Sequence, residues 1–339
     1  MIRARALAKY ALARLASVPI MLWLISTMVF LLLRIAPGDP VDAILGNRAD
    51  KIAREAMRER LGLNQPLFNQ YINFLNDLIH GNLGTALNTQ EPVSQIISKS
   101  LPASIELGFF ALIIACIIGF SIGFTGTAKP ESKTDLAGRL YGIATYALPP
   151  FWAAMLIQLF FSVILGWLPI GGRLPAGSVA PEGSGFLILD SIRSADFSLL
   201  QTSIRHLLLP ASTLGILLSG IFSRSLKINI NKTLSMDHIE AAKSRGISDY
   251  RILFFHALPN AMLPVLTITG LTVASLIGGA LLIEVTFSWP GIALRLQEAI
   301  SQRDYPIVQG IVVVISILVV SIGVIVDLLI ATIDPRVNF

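Results

Sequence analysis

Apolar and polar stretches alternate along the chain, and the apolar stretches have the length of membrane-spanning helices. A helix needs about 20 consecutive apolar residues to cross the hydrocarbon core of a bilayer. The apolar runs lie at about 15–33, 101–124, 140–165, 204–223, 261–283 and 308–330. In the second run, Gly119 and Gly123 have the spacing that lets another helix approach closely. This pattern predicts an all-α polytopic membrane protein with six transmembrane helices.

Residues 34–100 interrupt this pattern between the first and second runs. Acidic and basic residues nearly balance there, and apolar residues recur at helical spacing. We therefore predict three regions: 1–33, an N-terminus and first helix; 34–100, a small helical extracytoplasmic subdomain; and 101–339, a membrane core with five helices. The first apolar run is longer than the core of a signal peptide, so the first helix should remain uncleaved.

The long polar segment between the fourth and fifth runs is predicted to fold as two short helices. Ser235 is a candidate N-cap of the first helix, and Gly246 can end that helix in the left-handed conformation. Ser248 can begin the second helix, which should end at Leu258 because Pro259 follows.

Both predicted helices of this segment, residues 235–258, offer surfaces for another molecule. The first helix has a low-relief surface made by Ile239, Ala241 and Ala242. The second helix has an apolar face made by Tyr250, Leu253, Phe254 and Ala257. Such a pair has the shape of a docking element and not of a simple connecting loop.

Composition and charge place much of the surface against lipid. Of the 339 residues 54% are hydrophobic and only 14% are charged, and the mean hydropathy is +0.71, whereas soluble domains average about 25% charged residues. The net charge of +5 is spread along the chain, which favours a role in topology over nucleic-acid binding. Residues 128–139 and 224–251 hold nine Lys or Arg, against two in 286–306. By the positive-inside rule both termini and the polar segment should be cytoplasmic.

The sequence carries no sign of catalytic or metal-binding chemistry. Cys116 is the only cysteine, and the four histidines are too scattered to form a metal site. A phosphate-binding GxxxxGK[S/T] loop is absent from the sequence. We predict no catalytic residue, cofactor or metal site, so the ATP hydrolysis of any transporter built from this chain must come from another polypeptide.

The fifth run is rich in small and hydroxylated residues, which suit both close helix packing and the lining of a translocation pathway. The predicted pathway residues are Thr267, Thr272, Ser275, Gly279 and Glu284. Ionisable residues inside spans are usually functional, but Glu106, Glu284 and Asp327 all lie near span ends. Of these three, Glu284 is best placed for a gate or a substrate contact.

The polar segment resembles the EAA loop of bacterial ABC-importer permeases, which inserts into a cleft of the ATPase subunit. The resemblance rests on Glu240-Ala241-Ala242, on Gly246 and on Leu258-Pro259. It implies that the segment is a coupling loop that contacts the ATPase. The residues assigned to this contact are Glu240, Ala241, Ala242, Gly246, Tyr250, Phe254, Leu258 and Pro259.

Further segments resemble the dipeptide, oligopeptide and nickel branch of these permeases. They include IAPGDPV, LGLNQPLFNQY, HGNLGTALNTQEPV, SLPASIELG, HLLLPAS, IEVTFSWPGI and VDLLIATIDPR. The resemblance implies a B-type permease subunit in the bacterial inner membrane, with residues 101–339 as the permease core. The implied partners are a homologous second permease, two ATPase subunits and an extracytoplasmic substrate-binding protein.

The cargo stays open between peptides and nickel or another metal chelate. An ion-driven secondary transporter is an alternative from a different class, but it would need a midplane carboxylate and an inverted repeat, and the sequence offers neither. A purely structural scaffold is a third alternative, and it would leave the docking element unexplained.

Overall fold

The computed structural model describes residues 2–35, 41, 45, 50–128, 131–178 and 181–333. Within these residues every regular element is a helix. The α-helices are α1 (Ile2–Ile35), α2 (Lys51–Arg60), α3 (Leu67–Ile79), α4 (Val93–Ala128), α5 (Lys133–Ala147), α6 (Pro150–Gln158), α7 (Leu187–Arg193), α8 (Phe197–Leu234), α9 (Asp237–Ser244), α10 (Asp249–Arg251), α11 (Leu258–Gly279), α12 (Leu281–Thr286), α13 (Ile292–Ser301) and α14 (Tyr305–Ile333). Two π-helical segments, Leu159–Ile164 and Ile252–Ala257, follow α6 and α10.

Five helices in the described part of the chain are long and apolar enough to cross a membrane. They cover Lys9–Ile35, Val93–Thr127, Phe197–Leu234, Asp249–Leu276 and Tyr305–Thr332. A sixth span results if α5 and α6, with the π segment after α6, are taken together. This architecture confirms the predicted all-α polytopic membrane protein.

The third predicted span, residues 140–165, is not one continuous helix. It divides into α5 and α6, which are bent by 103° with respect to each other. Leu148 and Pro149 are extended, with ψ angles of 124° and 131°, because a residue before proline avoids the helical conformation. Pro150 then begins α6, where its missing N–H costs nothing. The two prolines therefore break the span completely.

Helices α4 and α8 pack so closely that glycine is required between them. A Cβ atom placed on Gly119 would lie 2.6 Å from the carbonyl oxygen of Ser219, and one on Gly123 would lie 2.8 Å from that of Ser223. The close approach predicted from the spacing of the two glycines is confirmed.

Contacts between distant segments divide the molecule into two ends. At one end the aromatic rings of Phe124, near the end of α4, and Phe254, in the polar segment, lie 4.6 Å apart. The end of α4 and the polar segment therefore share this end, which we call the docking end. The opposite end holds α2, α3 and the segments before α8 and after α11.

At the opposite end, the subdomain between α1 and α4 rests on the membrane core. The Leu87 N–H donates to a carboxylate oxygen of Asp304 at 2.7 Å. Burial raises the pKa of Asp304, although backbone N–H groups donate to it. Helix α4 begins at Val93, so the region boundary predicted at 100/101 falls inside this helix.

Candidate docking site

The polar segment begins at the end of α8 and not at a capped N-terminus. Ser235 closes α8, and its hydroxyl donates to the carbonyl oxygen of Lys232 at 2.9 Å. Met236 occupies the N-cap position of α9 without a side-chain hydrogen bond. The predicted N-cap role of Ser235 is therefore wrong, because the helix before it continues further than the apolar run suggested.

Gly246 ends α9 in the left-handed conformation that the sequence predicted, with φ of +75°. Its N–H donates to the carbonyl oxygen of Lys243 at 2.9 Å, and the Ile247 N–H donates to that of Ala242 at 3.3 Å. These bonds satisfy carbonyl groups that a helix end would otherwise leave unpaired. A Cβ atom at Gly246 would meet open space, so only the backbone conformation favours glycine there.

The second helix of the segment does not end at Leu258. It starts after Ser248 as α10, passes through the π-helical turn Ile252–Ala257 and continues as α11 without a break. Pro259 lies in the first turn of α11, directly after the π-helical turn. The predicted two-helix loop is thus one separate helix, α9, followed by a helix continuous with the fifth span.

A small apolar cluster holds α9 against this continuous helix. Ile239, Ala242 and Ile252 are buried together, with Leu234 and Ile247 packed beside them. Ile239 and Ala242 therefore face the protein, so the exposed surface expected at these two residues is wrong. The assignment of Ala242 to the ATPase contact stays a prediction.

The outward surface of the segment is polar on α9 and aromatic on the second helix. Glu240 and Ala241 are exposed. Tyr250 is 66% exposed and Phe255 is 71% exposed. Phe255 was missed by sequence reasoning because an α-helical spacing would turn it away from Tyr250, and the wider π turn was not foreseen.

Phe254 turns inward, towards the membrane core. Its ring lies 4.4 Å from the Tyr250 ring and 4.6 Å from the Phe124 ring, measured between centroids. Phe124 is near the end of α4, so Phe254 connects the polar segment, residues 235–258, to the second span. Because of its exposed surface we also call this segment the docking segment.

A buried carboxylate braces α8 just before the docking segment. Asp135, in the first turn of α5, pairs with Lys227 of α8 and with Arg139 at 3.1 Å. Its second oxygen also accepts from the Glu131 N–H at 3.3 Å. This link between α5 and α8 was not anticipated from the sequence, since the partners are far apart along the chain.

The hydroxylated pathway residues bond within their own helix. The hydroxyls of Thr267, Thr272 and Ser275 donate to backbone oxygens of α11 at 3.4, 2.8 and 2.8 Å. Thr272 is buried and Ser275 is exposed, while the surroundings of Gly279 lie outside the described part of the structure. Their assignment to a pathway stays a prediction.

Glu284 lies in the interior of the opposite end and is fully buried. It accepts from the Ser104 hydroxyl at 2.5 Å and from the N–H groups of Ala293 and Leu294 at 3.0 and 2.9 Å. The Ser104 oxygen in turn accepts from the Ile292 N–H at 2.7 Å. Glu284 thus holds the N-terminus of α13 against α4. Its assignment to a pathway stays a prediction.

Glu106, the second carboxylate of interest, is also buried and paired. Arg173 forms an ion pair with it, and the Ile188 N–H donates to it at 2.9 Å. The Arg173 guanidinium lies over the Trp289 ring at 5.5 Å, and the indole N–H of Trp289 donates to the carbonyl oxygen of Ala103 at 2.9 Å. These contacts fix the loops of the opposite end onto the start of α4.

Comparison with known proteins finds two matching family models that together cover most of the chain. Residues 111–339 match the model described as a binding-protein-dependent transport system inner membrane component. Residues 7–108 match the model of the N-terminal membrane component of such systems.

Curated relatives are similar over nearly the full length. The di/tripeptide transport system permease protein of Pseudomonas aeruginosa is 36% identical, covering 93% of this chain and 94% of the relative. The dipeptide transport system permease protein of Alkalihalophilus pseudofirmus is 37% identical, covering 97% and 99%. The oligopeptide transport system permease protein of Bacillus subtilis is 33% identical, covering 98% and 100%.

Proposed function

Because this chain belongs to the family of binding-protein-dependent transport system inner membrane components, we propose that it forms half of the translocation pathway of an ATP-binding-cassette importer for di- or oligopeptides. The names of the relatives from three bacteria support peptides as the cargo. The sequence alone left nickel and metal chelates open, whereas the names of these three relatives mention peptides.

The proposed assembly contains a homologous second permease, two ATPase subunits and an extracytoplasmic binding protein. ATP is hydrolysed by the ATPase subunits, and this chain is a non-catalytic subunit of the inner membrane. The docking end faces the cytoplasm together with both termini. The nine Lys or Arg in residues 128–139 and 224–251 support this orientation.

One observation carries the coupling role: an exposed surface is built on a helix that is continuous with a membrane span. Glu240, Tyr250 and Phe255 are exposed at the docking end, and the helix that carries Tyr250 and Phe255 runs on as α11. A movement of the ATPase subunits would displace this surface, and α11 would tilt with it because no loop lies between them. Such rigid-body tilting can open a cavity alternately to either side of the membrane.

Site-directed crosslinking in the complete transporter tests this proposal. In a Cys116→Ala background, cysteine would replace Glu240 or Tyr250, with Asn76→Cys in exposed α3 as the matched control at the opposite end. We expect crosslinks to an ATPase subunit from positions 240 and 250 and none from position 76. Crosslinks from position 76 alone would refute both the assignment of the docking surface and the cytoplasmic orientation of the docking end.

A further inference from the structure

Helix α3 carries an apolar surface that the described part of the chain leaves exposed. None of its 13 residues is buried. Phe68, Ile72 and Ile79 are 71%, 45% and 83% exposed, and with half-buried Leu75 they fall on one side of the helix at about 100° per residue. A contiguous exposed apolar surface marks a contact with another protein or with lipid.

Two arginines bracket the apolar part of α1, which is long enough to cross a bilayer. Arg14 and Arg34 lie twenty residues apart in the sequence, which is about 30 Å along a helix and equals the thickness of the hydrocarbon core. Arg14 pairs with Asp327 at one boundary. At the other boundary the Arg34 side chain donates to the Gln70 side chain at 2.9 Å.

Helix α3 contacts α1 on the membrane side of Arg34. The Tyr71 hydroxyl lies 2.6 Å from that of Thr27, and the rings of Tyr71 and Phe74 lie 5.3 and 5.4 Å from the Phe30 ring. Phe30 and Thr27 precede Arg34 by four and seven residues, so they lie about 6 and 10 Å deeper in the membrane. Helix α3 therefore meets α1 within its candidate membrane span, Lys9–Ile35.

The two sides of α3 differ in the way that an interfacial helix requires. The exposed apolar stripe adjoins the side of α3 that touches α1. On α1, the nearby residues Met28 and Leu32 are themselves 62% and 54% exposed. Asn69, Asn73, Asn76 and Asp77 occupy the other side of α3. We propose that α3 lies in the membrane interface on the Arg34 side, with Phe68, Ile72, Leu75 and Ile79 among the lipid acyl chains. This inference needs only that α1 spans the membrane, and it holds whether or not the chain couples to an ATPase.

Quenching by brominated lipid measures this contact directly. The complete transporter, in a Cys116→Ala background, would carry a single cysteine in place of Phe68, Ile72 or Ile79, labelled with an environment-sensitive fluorophore. Asn69→Cys and Asn76→Cys on the polar side are the matched controls, and Met28→Cys on α1 is the lipid-facing reference. The probe is a nanodisc of phosphatidylcholine and phosphatidylglycerol with or without brominated acyl chains.

We expect brominated lipid to lower the fluorescence at positions 68, 72 and 79 about twofold, as at position 28, because interfacial helices bury their apolar side about 5–10 Å deep. Positions 69 and 76 should change little. Equal responses on both sides of α3 would overturn the proposal. Protection of position 72 by added extracytoplasmic binding protein, without quenching by lipid, would also overturn it and assign the stripe to a protein partner.

Discussion

The ring of Phe254 in the docking segment lies 4.6 Å from the ring of Phe124 at the end of the second span. The docking segment is therefore joined to three spans, covalently to the fourth and the fifth and by aromatic packing to the second. A displacement of its exposed surface should reach all three spans at once.

Replacing Phe254 with alanine should weaken the aromatic contact between the docking segment and the second span. Since Phe254 is only half-buried, we expect a loss of about 2 kcal/mol, below the roughly 3–5 kcal/mol of fully buried phenylalanines. Thermal unfolding of the purified transporter would measure it. Phe255→Ala is the matched control: it should keep the unfolding temperature and lose affinity for the ATPase subunits. The same fall in unfolding temperature for both variants would contradict this division of roles.

Gly246 offers a test of the docking surface that separates charge from backbone conformation. Gly246→Asp should uncouple ATP hydrolysis from uptake, because it places a negative charge at the C-terminal end of α9, where the helix dipole disfavours it. Gly246→Asn has the same shape, tolerates the left-handed conformation and lacks the charge, so it should retain most of the coupling. Rates of uptake and of ATP hydrolysis, both measured in proteoliposomes, give the number of peptides transported for each ATP hydrolysed. Wild-type coupling in Gly246→Asp would argue strongly against a docking role for this surface.

The interior position of Glu284 predicts a stability defect when it is changed. Glu284→Ala would leave the Ser104 hydroxyl and the N–H groups of Ala293 and Leu294 without their acceptor, which should cost about 3 kcal/mol or more. Glu284→Gln keeps an acceptor oxygen and should cost less. Gly291→Ala should resemble Glu284→Ala, since its Cβ atom would collide with the Glu284 carboxylate. Unfolding temperatures would rank the three variants.

A transport assay separates this structural role from the pathway role predicted for Glu284. If Glu284 contacts cargo, Glu284→Gln would change the preference among peptides while leaving the unfolding temperature intact. With a purely structural role, peptide preference should be unchanged in every variant that folds.

The contact between α4 and α8 predicts that glycine cannot be replaced at Gly123. Gly123→Ala would force the two helices apart, and overpacking typically costs about 1–3 kcal/mol. Gly323 in α14 has no neighbouring atom within 4 Å of a built Cβ, so Gly323→Ala should be neutral. Unfolding in detergent compares the pair, and equal stability of the two variants would refute the packing argument.

The sequence predicted the features that depend on local chemistry. Long apolar runs identified the spans, the spacing of Gly119 and Gly123 identified a close contact, and Gly246 fell where α9 needs a left-handed residue. Each of these follows from residues within a few turns of one another.

The features that the sequence did not predict depend on residues far apart or on helix continuity. The partners of Glu284 are Ser104, Ala293 and Leu294, and those of Asp135 include Lys227. Neither pairing leaves a periodic signal. We predicted that the second helix of the docking segment ends at Leu258. This prediction was wrong, because a π turn followed by a proline in the first turn of α11 is compatible with a continuous helix.

The length of α8 determines how far the docking surface stands from the lipid. Its 38 residues extend about 57 Å, while the hydrocarbon core is about 30 Å thick. If Arg224 marks the boundary of that core, the eleven residues from there to Leu234 add about 16 Å, more than the roughly 5–8 Å of the headgroup layer. Glu240 and Tyr250 therefore lie beyond the headgroup layer. A soluble protein can contact them without displacing the water that hydrates the lipid headgroups.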